Sequence, residues 1–108
     1  MQEFTPVQIA VLERLAAQGF TLVAFPLYAS AVGVRRDSFA ALLVPVAEGG
    51  LRVLGEPCYL IDGNLTVRVR RGAAQCFVWK SKSVEATPDL LAQLNRFSED
   101  LLEVLSAP

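Results

Sequence analysis

The sequence predicts an α+β domain in which an antiparallel meander sheet of five or six strands carries an N-terminal and a C-terminal helix on one face. Three observations predict this class. Amphipathic stretches with helix-start signals stand at both ends of the chain. The segment between them alternates with a period of two, and its turns are too short for the crossover that parallel strands need. At 108 residues there is room for one core, so we expect a single domain over residues 1–108.

Both predicted helices begin with a threonine followed by a proline. Thr5 is the expected N-cap of the first helix, Gln8 completes a capping box, and Gly19 is placed to end the helix. The second helix begins after Thr87, and its apolar stripe continues to Leu105. The resulting core is expected to include Val11, Leu12, Leu15, Val67, Val69, Phe77, Trp79, Leu90, Leu94, Phe97 and Leu101.

Six candidate strands lie between the helices, separated by turn residues. Pro57 suggests a bulge or an edge within the fourth of them. This order of elements resembles the profilin-like architecture, but no residue motif assigns the chain to a family. The candidate strands are Phe20–Phe25, Leu27–Arg35, Ser38–Val46, Leu51–Ile61, Leu65–Arg71 and Gln75–Lys82.

The turns of the last three strands predict which side chains share a face. A two-residue turn at Asp62-Gly63 and a three-residue turn at Gly72–Ala74 place Val67, Val69, Phe77 and Trp79 on the core side. The opposite side then holds a basic face made of Tyr59, Arg68, Arg70, Lys80 and Lys82.

This basic face has two interpretations. Residues 35–82 carry eight basic and four acidic side chains, whereas the rest of the chain carries two basic and seven acidic ones. Basic residues around an aromatic ring are typical of single-stranded nucleic-acid binding, and the same residues are suited to an anionic small ligand. We favour a solvated face, because one tyrosine is a small stacking platform and the pI of about 5.3 argues against a nucleic-acid protein.

Two further patterns have a functional and a structural interpretation. Ala29, Ala31 and Gly33 on one strand face would leave space for a small-molecule pocket, or would allow a helix or a partner sheet to approach closely. Arg35-Arg36 would hold an anion between two guanidinium groups, or would form a polar hairpin tip with Asp37-Ser38. We favour the structural interpretation in both cases.

The residues that usually carry catalysis are scarce, so we expect no enzyme, cofactor or metal site. The chain has no histidine, and Cys58 and Cys76 lack the spacing of a metal or dithiol motif. The predicted register separates these two cysteines, so both are expected to be free thiols. The N-terminal residues do not form a signal peptide, and no apolar run is long enough to span a membrane. We therefore expect a cytoplasmic protein.

The second and third strands are apolar on both faces, and two helices can cover only one of these faces. The chain is also 53% hydrophobic, which is high for a small monomer. We therefore expect a non-enzymatic interaction module, most simply a homodimer, or else a protein-binding or chaperone-like adaptor. Its interface is expected on the face away from the helices, near Tyr28, Val32, Phe39 and Leu43. A one-residue shift of register would exchange the outward and inward side chains.

Overall fold

A computed structural model describes residues 4–25, 28, 30–47 and 49–106. This part of the chain contains two terminal helices and eight strands, and every strand pairing is antiparallel. The predicted α+β class is therefore confirmed. The elements are α1 (Pro6–Ala17), β1 (Thr21–Val23), β2 (Val32–Arg36), β3 (Phe39–Pro45), β4 (Leu51–Ile61), β5 (Asn64–Leu65), β6 (Val67–Arg71), β7 (Ala74–Trp79), β8 (Lys82–Glu85) and α2 (Pro88–Ser106).

Side-chain caps fix where both helices begin. The Thr5 hydroxyl accepts a hydrogen bond from the Gln8 amide at 3.2 Å, and the Gln8 side-chain oxygen accepts one from the Thr5 amide at 3.0 Å. The predicted capping box of α1 is thus confirmed. The Thr87 hydroxyl accepts a hydrogen bond from the amide of Leu90 at 3.2 Å and caps α2 in the same way. No helix in the described ranges is long and apolar enough to cross a membrane.

The strands form a curled five-stranded sheet of order β1-β2-β3-β4-β5 and a three-stranded sheet of order β6-β7-β8. The two sheets separate at Thr66, whose hydroxyl donates a hydrogen bond to the carbonyl oxygen of Tyr59 at 2.5 Å. The β3–β4 register shifts opposite Gly55, Glu56 and Pro57, which is the bulge that Pro57 predicted. β6 does not continue the β4–β5 ladder, which ends at the Leu60–Leu65 pair.

One core cluster joins both helices to both sheets. The helices contribute Val11 and Leu15 from α1 and Leu94, Phe97 and Leu101 from α2, all of them buried. The other buried members of the cluster are Phe20, Val32, Val34, Phe39, Ala41, Leu43, Leu51, Phe77 and Ala86. We refer to the side of the five-stranded sheet that contacts this cluster as the helix-covered face, and to the opposite side as the helix-free face.

Arg36 fastens the β2–β3 hairpin to α2. Its guanidinium carbon lies 4.6 Å from the centre of the Phe20 ring and 5.8 Å from that of Phe97. The same group donates a hydrogen bond to the carboxylate of Asp100 at 2.7 Å. This half-buried cation therefore combines an ion pair with stacking on two aromatic rings.

The strand count and several strand boundaries differ from the prediction. Thr66 divides the predicted strand Leu65–Arg71 between β5 and β6, and in the described part of the chain eight strands in two sheets replace the single sheet of five or six strands. Lys80 and Ser81 form a turn that ends the predicted strand Gln75–Lys82 and begins β8. Lys80 has a φ of 54°, a value that is uncommon for a residue other than glycine. Because lysine does not normally mark such a turn, the sequence did not predict it. The predicted strand Leu27–Arg35 begins only at Val32, because Tyr28 and Ser30 lie in turns. Positions 27 and 29 of that strand lie outside the described residues.

Candidate interaction surfaces

The cross-strand register shows which side chains form the helix-free face. Residues directly paired across antiparallel strands point to the same side of a sheet. One row of paired residues crosses four strands and consists of Val23, Gly33, Leu42 and Leu54. The neighbouring positions of β2 and β3 are buried in the core cluster, so this row lies on the helix-free face. Parallel rows extend the face through Ala40, Cys58, Leu60 and Leu65.

Three of the four residues predicted at the interface lie on the other face. Val32, Phe39 and Leu43 are buried in the core cluster, and the Phe39 ring lies 6.2 Å from that of Phe97 in α2. Their predicted position on the outward face is wrong. The physical reason is that both faces of β2 and β3 are apolar, so hydrophobicity alone does not distinguish them. Tyr28 is exposed, as an interface residue must be.

The chain itself covers part of the helix-free face. A β-carbon added at Gly33 would lie 2.5 Å from the Phe25 ring and 2.3 Å from the carbonyl oxygen of Val23. Gly33 therefore provides close approach for the segment that follows β1, and not a pocket floor. Ala31 is half-buried, and Ala29 lies outside the described residues. The close approach at Gly33 is therefore made by the segment that follows β1, and not by the helix or partner sheet that we expected.

Beyond Phe25, an apolar recess remains open on the helix-free face. It has a volume of about 250 Å³ and is bordered by two exposed apolar side chains, Tyr28 (45% exposed) and Leu54 (39% exposed). Its other lining residues are Ala41, Leu42, Gly55, Glu56, Cys58, Leu65 and Thr66. The carboxylate of Glu56 is the one ionisable side chain in this lining besides the Cys58 thiol and the Tyr28 hydroxyl. The recess is thus shaped for an apolar group.

Cys58 is a poor nucleophile in this setting. Burial raises the pKa of its thiol, and the hydrogen bonds from Thr66 only partly offset this effect. A thiol with a raised pKa carries little of the reactive thiolate at neutral pH. Both Cys58 and Cys76 are free, as predicted. Cys58 therefore lines the recess as a small apolar side chain.

The β6–β7 turn changes the predicted basic face. Arg71 pairs with Ala74, which leaves a two-residue turn where three residues were expected. The register then pairs Arg68 with Phe77 and Val67 with Val78. Phe77 therefore lies on the side that carries the arginines, and this side faces the core. Val67, which we expected in the core, is 67% exposed on the other side, so its predicted position is wrong.

Tyr59 does not form a stacking platform on a solvated surface. Its ring stacks on Phe77 at 5.5 Å and contacts the edge of Phe39 at 5.7 Å. It is a half-buried part of the core margin. The predicted position of Tyr59 on a solvated face is therefore wrong.

The basic side chains predicted around Tyr59 are dispersed. Arg68 pairs with Glu56 at 3.3 Å, and Lys82 pairs with Asp62 at the β4–β5 turn. The Lys80 ammonium lies 4.9 Å from the centre of the Trp79 ring, on the β7–β8 turn. Arg70 is exposed on β6. These positions do not converge on one ligand-sized pocket among those that the described residues line.

The adjacent arginines of the β2–β3 hairpin serve different contacts. Arg35 donates a hydrogen bond to the carbonyl oxygen of Asp37 at 2.9 Å, whereas Arg36 is bound to Asp100. They do not form an anion clamp. Within the described ranges, no three His, Cys, Asp or Glu side chains are grouped to hold a metal ion.

Comparison with known proteins does not add a functional assignment. No protein family, curated protein or solved structure matches the chain. The candidate site therefore rests on the geometry above.

Proposed function

We propose that this protein is a non-enzymatic interaction module that forms a homodimer through its helix-free face. The observation that carries the proposal is the apolar recess bordered by the exposed side chains of Tyr28 and Leu54. Both helices pack on the opposite face, so they leave this recess uncovered. Exposed apolar surface around a concave site is typical of a protein-binding surface.

Two-fold symmetry fits the arrangement of this surface. In a dimer with a two-fold axis, the same residues of both copies form the interface, so a projecting side chain must meet a recess of the other copy. Tyr28 is 45% exposed and borders a recess that Leu42 and Leu65 also line. Tyrosine is enriched at interface centres, because it buries a large ring while its hydroxyl stays hydrated. We propose that the Tyr28 ring of each copy packs into the recess of the other.

The size of the molecule permits a stable interface of this kind. A stable dimer buries more than about 1,000 Å² in total, or roughly 500 Å² per copy. The molecule measures 46 × 26 × 22 Å along its principal axes, so its overall dimensions are compatible with an interface of this size. The proposal extends to a cytoplasmic location, which two unpaired cysteines support because extracellular domains of this size usually oxidise such residues.

The test compares one leucine inside the recess with one outside it. Leu54→Arg places a charge in the proposed interface, whereas Leu102→Arg places the same charge on α2, where Leu102 is 50% exposed. Sedimentation equilibrium should show that Leu54→Arg raises the dimer dissociation constant at least tenfold, or about 1.4 kcal/mol, while Leu102→Arg leaves it unchanged. Equal effects of the two substitutions would refute this interface. If this face binds a different protein instead, the wild-type protein would be a monomer. Leu54→Arg, but not Leu102→Arg, would then abolish binding to that protein.

A further inference from the structure

The edge of β6 is a second surface that the chain leaves unpartnered. β6 pairs with β7 on one side, and in the described part of the chain no strand pairs with its other side. That free side faces the gap where β4 and β6 diverge at the Gly55–Pro57 bulge. An unpaired strand edge is a template for another extended segment.

The hydrogen bonding of β7 shows which backbone groups of β6 point to its free edge. Ala86 donates its amide hydrogen to the carbonyl oxygen of Gln75 at 2.7 Å, so the polar backbone groups of Gln75 point toward β8. Arg70, which is paired with Gln75, therefore has its own backbone groups directed away from β7. The alternation along an antiparallel ladder gives Arg68 the same orientation. The amides and carbonyls of Arg68 and Arg70 are thus the ones available at the edge.

The side chains of the edge define the chemistry of its partner. Arg68, Arg70 and Arg71 place three cations within one five-residue strand, and all three are exposed. Their acidic neighbours are few, since Arg68 meets only the exposed carboxylate of Glu56 and the described acidic residues form no ion pair with Arg70 or Arg71. Val67 and Val69 alternate with Arg68 and Arg70 on the opposite side of the sheet. The edge therefore presents an alternating basic and apolar pattern.

We infer that the β6 edge binds an extended segment of a protein partner in which acidic and apolar residues alternate. The acidic side chains would lie beside Arg68 and Arg70, and the apolar ones beside Val67 and Val69. The backbone of the segment would extend the three-stranded sheet to four strands. A second copy of β6 does not meet this requirement, because antiparallel self-pairing would place arginines next to arginines. Charge complementarity selects an acidic strand in its place.

The test uses two acidic peptides of equal composition. A fluorescein-labelled heptapeptide of alternating valine and glutamate satisfies the pattern, whereas the same residues arranged in two blocks carry the same charge without it. Fluorescence anisotropy at low salt should show at least tenfold tighter binding of the alternating peptide. Hydrogen exchange of the Arg68 and Arg70 amides should slow at least tenfold when that peptide is bound. Equal binding of both peptides, or unchanged exchange at these two amides, would overturn the inference.

Substitutions separate this edge from the rest of the surface. Arg70→Glu should weaken binding of the alternating peptide at least tenfold, whereas Arg52→Glu, which changes an exposed arginine on β4, should leave it unchanged. Leu102→Arg, which places a charge on α2 away from this gap, should also leave peptide binding unchanged. If Arg70→Glu unfolds the protein, the amide-exchange measurement on the wild-type protein still decides the matter. Displacement of the peptide by an equal concentration of a single-stranded oligouridylate would show a general anion surface and would also overturn the inference.

Discussion

Replacing Arg36 should separate two contributions to the attachment of the β2–β3 hairpin to α2. The guanidinium group pairs with Asp100 and also stacks on the rings of Phe20 and Phe97. Asp100→Asn removes the ion pair and keeps the stacking, whereas Arg36→Ala removes both. The neighbouring substitution Arg35→Ala is a matched control, because Arg35 is exposed and donates its hydrogen bond to the nearby carbonyl oxygen of Asp37.

The structure sets the expected magnitudes. The Arg36 and Asp100 side chains are 23% and 43% exposed, so solvent screening limits their ion pair to about 0.5–1 kcal/mol. Each cation–π contact contributes about 0.5–1 kcal/mol at a partly exposed site. The free energy of unfolding should therefore fall by up to about 1 kcal/mol in Asp100→Asn and by about 1.5–3 kcal/mol in Arg36→Ala. Arg35→Ala should change it by less than about 0.5 kcal/mol.

Urea unfolding at low and high salt measures both contributions. Salt screens the ion pair, so the effect of Asp100→Asn should shrink at high salt, while most of the effect of Arg36→Ala should remain. If Asp100→Asn costs as much as Arg36→Ala, stacking on the aromatic rings does not stabilise the hairpin and this reasoning is wrong.

Three further substitutions test the core, the close approach at β2 and the buried thiol. Leu94→Ala should lower the free energy of unfolding by about 2–5 kcal/mol, because Leu94 is buried in the core cluster, and an unchanged urea midpoint would contradict its placement. Gly33→Ala should cost about 1–3 kcal/mol, because the new β-carbon would meet the Val23 carbonyl and the Phe25 ring. Gly50→Ala, which meets only ordinary contact, is its control, and equal costs would show that Phe25 does not lie against β2. The pKa of the Cys58 thiol is raised in the folded protein, so folding favours the neutral thiol. The resulting stabilisation is fully present below the ordinary thiol pKa, and it is lost as the pH rises toward the pKa of the folded state. Compared with Cys58→Ala, the wild-type protein should therefore lose stability above about pH 8.5, and a pH-independent difference in unfolding free energy would rule this out.

The helices could be predicted from the sequence because their signals are local. Thr5, Pro6 and Gln8 specify a capping box within four residues, and the structure forms it. Asp62-Gly63 likewise forms the predicted two-residue turn, with positive φ at both positions. These two elements were predicted correctly because adjacent residues specify them, whereas the turn at Lys80-Ser81 was missed.

The faces of the strands could not be predicted as reliably, because they depend on register. Gly72, Ala73 and Ala74 permit a turn of either two or three residues. The length of the turn decides whether Phe77 shares its side of the sheet with Val67 or with Arg68. β3 has buried side chains on both faces, so its pattern does not show which side the helices cover. For this reason the sequence indicated the helix-free face as the candidate interface but assigned Val32, Phe39 and Leu43 to it incorrectly.

The solution mass of the wild-type protein tests the central claim, self-association through the helix-free face, most directly. Light scattering on a size-exclusion column should give about 23 kDa at micromolar concentration, twice the chain mass of 11.7 kDa. Dilution should return the mass toward that of one chain, with a midpoint that Leu54→Arg moves to higher concentration. A mass of 11.7 kDa that does not change across the micromolar range would contradict the homodimer.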